Sequence, residues 1–264
     1  MNIALIVEYD GTDFNGFQYQ SDFRTIQGEL EIAIEKFLRS KIRIKAAGRT
    51  DSGVHAKAQI ITFRTTKYYS LNDVVGALNH YLPKAISIHD AFIVSDDFDP
   101  RRDAYSRQYR YTMYCGDIES PLNNRMAFKV SVQVNVELME EAAKIFRGIH
   151  DFKNFGKISS RDKTDITIRE IYQSILLRQG EWIFFNIEGN SFLTHQVRMM
   201  AGALVCVGKE KLTLDHLKDM VDGNLLKQRV VTLPPNGLCL VKVRYPDHLL
   251  RYKEKEIEYS KYTA

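Results

Sequence analysis

The pattern of apolar and polar positions in the first hundred residues alternates between the periods of strands and helices. Residues Ile3 to Tyr9 are almost all apolar, which is typical of a strand that is buried on both faces. Ser70 followed by Asp73 predicts the capped start of a helix. The predicted order is strand, helix, strand, strand, helix, strand, at Ile3–Tyr9, Thr25–Arg39, Lys41–Lys45, Lys57–Thr65, Leu71–Leu82 and Ile86–Val94. This order is that of a split βαβ, ferredoxin-like unit.

The rest of the chain predicts a similar series with one additional strand and one additional helix. Strands are expected at Ala104–Cys115, Met126–Val134, Thr167–Leu177, Trp182–Glu188 and Leu238–Tyr245, and helices at about Leu138–Phe146, Ser191–Val207 and Leu214–Val221. The polar, proline-broken stretch at 99–102 predicts a boundary. We therefore predict an α/β (α+β) fold of two related ferredoxin-like units, residues 1–100 and 101–264, with mostly antiparallel sheets flanking a central cleft. The charged tail after Pro246 is compatible with a helix or with fraying.

Composition limits the classes of protein that fit this pattern. The 264 residues are 44% hydrophobic and 27% charged, as in a globular protein, and a net charge of +4 permits a nucleic-acid partner. Three distant cysteines and scattered histidines predict no metal site, and the absence of glycine-rich phosphate-binding motifs predicts no cofactor. The longest apolar run, Met199–Gly208, is too short to span a bilayer, and the start lacks a signal-peptide pattern. We expect a cytoplasmic protein without a membrane partner.

A glycine-bracketed loop between two predicted strands carries the first candidate for chemistry. Gly48 and Gly53 flank Arg49 and Asp51, and glycine suits a sharp turn or a close approach to a ligand. A guanidinium and a carboxylate two residues apart on such a loop can face one cleft. The tripeptide Asp51-Ser52-Gly53 alone is an ordinary turn more often than a site.

A second candidate lies in the long strand after the predicted boundary. The stretch from Asp99 to Tyr111 contains four arginines and three tyrosines. Aromatic faces can stack on extruded bases and arginines can bind phosphates, so the stretch suits RNA. The pattern alone favours the alternative, in which Tyr105, Tyr109 and Tyr111 simply line a core.

The continuous stretch Gly48-Arg49-Thr50-Asp51-Ser52-Gly53-Val54-His55-Ala56, followed by Gln59, resembles the signature of the TruA-type transfer RNA pseudouridine synthases. The resemblance implies that Asp51 is the essential catalytic residue. It also implies that Tyr109, in Tyr109-Arg110-Tyr111, stacks on the target base. The segment from Gly189 to Arg198 is similar to the family's strand-to-helix segment, which implies that Arg198 reaches the catalytic carboxylate. His195 in that segment is expected to be structural or an RNA contact.

The function that the resemblance implies is isomerisation of uridine to pseudouridine in the anticodon stem-loop, at uridines 38, 39 and 40 of transfer RNA. Arg49 is expected to help extrude the target base, and the residues leave open whether Asp51 adds to the base or to the sugar. The resemblance also implies a homodimer. Two other hypotheses remain: an aspartic-peptidase-like dimer that uses Asp51-Ser52-Gly53, and a non-catalytic RNA-binding module. A peptidase would need a second carboxylate to share a proton.

Overall fold

The computed structural model describes residues 1–156, 167–224 and 230–250. The strands in these ranges are β1 Asn2–Tyr9, β2 Lys45–Ala46, β3 His55–Arg64, β4 Ile86–Val94, β5 Ser106–Cys115, β6 Phe128–Val130, β7 Gly148–Asp151, β8 Ile168–Gln179, β9 Trp182–Gly189 and β10 Leu238–Arg244. The helices are α1 Ile26–Leu38, α2 Leu71–Tyr81, α3 Val136–Ile145, α4 Gln196–Gly208 and α5 Leu214–Val221, with short 3₁₀ helices at Phe152–Phe155 and Pro235–Gly237.

All ten of these strands belong to one sheet. Its order is β4-β1-β3-β10-β5-β9-β8-β7, with β2 paired to β3 and β6 paired to β5. Neighbours are antiparallel except β10 with β3 and β6 with β5. The order β4-β1-β3-β2 is matched in the second half by β10-β5-β9-β8, so each half has the strand order of a ferredoxin-like unit. The predicted mixed α/β fold with a mostly antiparallel sheet is confirmed.

Helix starts follow from local capping chemistry. Thr25 accepts a hydrogen bond from the Gly28 N–H, and Ser70 accepts one from the Asp73 N–H. Each cap satisfies a backbone donor that has no partner inside its helix. Arg39, in the left-handed region at φ 58°, ends α1. The predicted bounds of both helices are therefore close to the observed ones.

Three predicted elements differ from the structure. The strand expected at Lys41–Lys45 is reduced to β2, because the Glu31 carboxylate accepts the Ile44 N–H at 3.2 Å and thereby replaces a strand partner. Helix α4 begins at Gln196 and not at Ser191, since His195 before it has a φ of 66°. The strand expected at Met126–Val134 is shortened to β6. One strand, β7, was not predicted, because its four residues are too few to show a clear alternation of apolar and polar positions. The charged tail at 251–264 lies outside the described residues.

Two hydrophobic cores lie along the sheet. One contains β1, β3, α1 and α2, and the other contains β5, β9, α3 and α4. Strand β10 contributes Leu240 and Val243 to the first core although it comes last in the sequence, and Tyr109 packs against both cores. Tyr109 therefore lies where the two halves meet. The division at residue 100 stays a prediction.

Candidate active site

A cleft of about 1130 Å³ opens where the two halves of the sheet meet. Its walls come from residues 15–20, from the loop between β2 and β3, from β5, and from the segment that leads into α4. The four predicted site residues, Arg49, Asp51, Tyr109 and Arg198, all line this cleft. Side chains from four distant parts of the chain can therefore act on one substrate.

The loop that carries Asp51 is held against residues 14–17. The Phe17 N–H donates to the Thr50 carbonyl at 3.0 Å, and the Ser52 hydroxyl donates to the Phe14 carbonyl at 3.0 Å. The Thr50 hydroxyl also lies 2.9 Å from the hydroxyl of Tyr9 in the core. These bonds on both sides of Asp51 fix the backbone from which its carboxylate projects.

The two glycines of the loop have different roles. Gly53 has a φ of +78°, and a Cβ atom there would lie 2.9 Å from Cγ of Pro235. Both observations require glycine at this position. Gly48 is not among the residues with positive φ, and a Cβ there would meet no atom within 4 Å. Only Gly53 therefore has the conformational role that the sequence suggested for both.

One oxygen of the Asp51 carboxylate is held by two side chains from the second half of the chain. Arg198 Nη1 donates to Asp51 Oδ2 at 2.9 Å, and His195 Nε2 lies 3.5 Å from the same oxygen. Arg198 is itself fixed, because its Nε donates to the Leu233 carbonyl at 2.8 Å. The Asp51 side chain is 30% exposed and lines the cleft, so the carboxyl group is not sealed off from a substrate.

His195 was expected to be structural or an RNA contact, and its place beside Asp51 was not predicted. It is the residue immediately before α4, with φ 66° and ψ 2°, a conformation that is uncommon for a residue with a side chain. This backbone conformation directs the chain into the helix that carries Arg198. No periodicity in the sequence signals such a turn, although the family-like segment contains it.

Tyr109 projects from β5 into the cleft. Its ring packs edge-on against Phe192, with centroids 5.2 Å apart and planes at 85°. Burial raises the pKa of the Tyr109 hydroxyl to about 12, so the phenol is neutral at physiological pH. A neutral aromatic ring that is fixed at one edge and borders a cleft can stack on a flat ligand.

Arg49 is exposed at the cleft. Among the described residues it forms no ion pair with Asp51, despite the short spacing between them in the sequence. The partners of Asp51 are Arg198 and His195, and Arg49 is an exposed residue of the cleft lining. Arg49 is thus placed to contact a ligand and not to hold the carboxylate.

The described lining of the cleft is strongly cationic. It contains one carboxylate, that of Asp51, together with His195 and the arginines Arg49, Arg101, Arg107, Arg169 and Arg198. An excess of positive charge in a cleft attracts the phosphates of a nucleic acid. The dimeric peptidase hypothesis would need a second carboxylate from a partner subunit to share a proton with Asp51, whereas here an arginine binds that carboxylate.

The other arginines of the basic stretch lie away from the cleft. Arg102 Nε donates to the Asp103 carboxylate at 2.8 Å. Arg110 projects from the face of β5 opposite Tyr109, where its Nε donates to Asn186 Oδ1 at 2.9 Å and its guanidinium lies over the Phe184 ring. Of Arg101, Arg102 and Arg110, the three arginines of this stretch that we expect to contact phosphates, only Arg101 lines the cleft.

In the part of the chain that the structure describes, His, Cys, Asp and Glu side chains form no group of three or more suited to a metal ion. None of the described helices is long and apolar enough to cross a membrane.

The chain is similar to known proteins over most of its length. The family model described as tRNA pseudouridine synthase matches residues 5–101 and 142–246. The tRNA pseudouridine synthase A of Geobacter sp. (strain M21) is 38% identical over 247 residues, which is 93% of this chain and 99% of the relative. That of Chloroflexus aurantiacus (strain ATCC 29366 / DSM 635 / J-10-fl) is 35% identical and covers 96% of this chain and 91% of the relative.

The fold, the arginine-lined cleft and these matches define the class of the protein as an RNA-modifying isomerase. The chain belongs to the tRNA pseudouridine synthase family. The resemblance first seen in the loop around Asp51 is therefore confirmed over nearly the whole chain.

Proposed function

We propose that the protein isomerises uridine to pseudouridine in the anticodon stem-loop of transfer RNA, with Asp51 as the essential catalytic carboxylate. The observation that carries this proposal is the placement of Asp51 as the one carboxylate in the described lining of an arginine-rich cleft. Arg198 binds Oδ2 of this carboxylate, and 30% of the Asp51 side chain remains exposed.

The chemistry needs a carboxylate and a pocket shaped to hold the target nucleoside. The N1–C1′ bond of the nucleoside breaks with the assistance of Asp51, the base rotates, and a C5–C1′ bond forms. The proton on C5 is released and N1 gains one, so the reaction has no net oxidation or hydrolysis. Arg198 keeps the carboxylate oriented during both bond changes, because it is itself fixed to the Leu233 carbonyl at 2.8 Å.

The target base must leave the helical stack before its glycosidic bond can be reached. Tyr109 stacks on the extruded base, since its ring is already fixed against Phe192 at the cleft wall. Arg49, exposed and without an ion-pair partner in the described chain, contacts the RNA near the space that the base leaves. Arg101 and Arg169, which also line the cleft, lie where phosphates of the flanking nucleotides can pass.

We also propose that the protein works in the cytoplasm as a homodimer. The family resemblance supports the dimer, and an anticodon arm is longer than a single cleft, so RNA can contact both subunits. A monomer by light scattering that retains full activity would contradict the dimer. The transfer RNA substrate, which is processed in the cytoplasm of bacteria, supports the location.

The test is to map pseudouridine in unmodified transfer RNA after incubation with the wild-type protein and with Asp51→Asn. The wild-type protein should form pseudouridine on the 3′ side of the anticodon stem-loop. The Asn variant removes the charge while keeping the shape, so it should bind RNA and form none. A folded Asn variant with near-normal turnover would remove Asp51 from the mechanism. RNA binding without turnover by the wild type would support the RNA-binding module instead.

A further inference from the structure

Arg107 is a cationic side chain of the cleft that is not one of the four predicted site residues. It lies two residues before Tyr109 on β5, and therefore projects from the same face of the strand. Its side chain is half-buried and lines the cleft. Burial lowers the pKa of the Arg107 guanidinium. Its contacts identify what this buried charge does.

The Arg107 guanidinium is bound by backbone carbonyls. Nη1 donates to the carbonyls of Ala104 at 3.0 Å and Asn190 at 2.9 Å. Nη2 donates to the carbonyl of Ala47 at 3.1 Å and to that of Arg101. Each terminal nitrogen of the fork thus binds two acceptors, which uses all four of its terminal N–H groups.

These carbonyls belong to segments that meet at the active site. Ala47 lies at the start of the loop that carries Asp51. Asn190 follows β9 and begins the segment that leads to Arg198. The remaining two carbonyls come from the link between the two halves of the chain. One side chain therefore joins the backbone of the catalytic loop to the backbone that supplies its partner.

The balance of charge around Arg107 separates it from an ordinary structural arginine. In the described ranges, no carboxylate lies within ion-pair distance of its guanidinium. Burying a cation without a counter-ion is costly, and neutral carbonyls compensate for this only in part. A neutral side chain could donate hydrogen bonds to these carbonyls at a lower desolvation cost. We therefore infer that this position requires the planar, forked geometry of the guanidinium.

We propose that Arg107 is a positioning residue, which holds the Asp51 loop and the segment entering α4 at the separation needed for chemistry. This proposal rests on the proposed function of the cleft. The rate of a reaction depends strongly on where the catalytic groups lie: a displacement of about 1 Å relative to the substrate can lower the rate of the chemical step by about 10²-fold. The four carbonyl contacts act before the substrate arrives, so their loss should affect the chemical step far more than RNA affinity.

The test compares Arg107→Lys with Arg110→Lys in the full-length protein. Lysine keeps the charge, and hence the attraction for RNA, but its single nitrogen cannot reproduce a planar fork that binds four carbonyls. Arg110 is the matched control, because it lies on the same strand but on the opposite face, beside Asn186. Thermal unfolding, RNA affinity and single-turnover pseudouridine formation are measured for the wild type and both variants.

Arg107→Lys should keep its RNA affinity and lose about 10²-fold in single-turnover rate, while Arg110→Lys should match the wild type in both. In Arg107→Ala, added guanidinium ion should restore part of the rate, and methylammonium should not. A wild-type rate in Arg107→Lys would overturn the proposal, as would parallel losses of rate and affinity. If Arg107→Ala does not fold, the lysine variant decides alone. A wild-type protein that forms no pseudouridine would instead reject the proposed function.

Discussion

The contact between Arg198 and Asp51 gives the most quantitative prediction. Arg198→Met keeps a side chain of similar length and removes every donor. A hydrogen bond to a charged group is worth about 1.5–3 kcal/mol, which corresponds to about 10- to 150-fold in rate. The Asp51 side chain is 30% exposed, so solvent screens part of this interaction. We therefore expect a loss of about 10- to 50-fold in the single-turnover rate.

The assay measures single-turnover pseudouridine formation on unmodified transfer RNA, with folding checked by thermal unfolding. Arg198→Lys should fall between the wild type and Arg198→Met, because one ammonium can reach only one of the two oxygens that Arg198 binds, Asp51 Oδ2 and the Leu233 carbonyl. Arg125→Met is the control, since Arg125 forms an exposed pair with Asp13 at 2.9 Å outside the cleft. Equal rates for Arg198→Met and Arg125→Met would refute the reasoning.

Further predictions concern stacking, charge and the loop. Tyr109→Leu should slow turnover by about 5- to 150-fold, because base stacking is worth about 1–3 kcal/mol; Tyr109→Phe should keep most of the rate, and equal losses would exclude stacking. Arg101→Ala should reduce the slope of log affinity against log salt by about one, while Arg102→Ala should leave it unchanged; identical slopes would contradict the assignment. In urea denaturation, Gly53→Ala should lower the free energy of unfolding by about 1–3 kcal/mol, and Gly48→Ala should not; similar values would show that φ at Gly53 is not limiting. Activity on prefolded RNA should survive chelation, and recovery only with a transition metal would contradict this.

The elements that the sequence predicted well are those whose apolar pattern continues over the whole element and whose ends carry local signals. Strand β4 and helix α5 have the predicted bounds, and α2 begins at the Ser70 cap. Helix caps and apolar spacing depend only on residues that are close in sequence, so the sequence pattern predicts them. The strand predicted at Lys41–Lys45 was too long. Its residues do alternate between charged and apolar, but the Glu31 carboxylate accepts the Ile44 N–H that a neighbouring strand would otherwise bind.

Without the family resemblance, which predicted that Arg198 reaches the catalytic carboxylate, the candidate site was predictable only in its separate parts. The loop around Asp51 and the strand of Tyr109 were each visible as a local motif. The contact between Arg198 and Asp51 joins positions that are 147 residues apart, and no local pattern reports such a pair. The contacts of Arg107 were not predictable either. Its acceptors are backbone carbonyls, which every residue has, so the types of the residues that supply them do not indicate the contact.

The strand order explains why a single site arises from two similar units. Both halves have the same succession of strands, but the connection between the second and third strands differs. In the first unit it is the long loop from Ala47 to Val54, which carries Asp51; in the second it is the tight turn between β8 and β9, which includes Gly180 at φ 60°. The second unit has no corresponding loop, and its β5 and α4 supply Tyr109 and Arg198 to the first. Because β10 pairs with both β3 and β5, it joins the strand that follows the Asp51 loop to the strand that carries Tyr109.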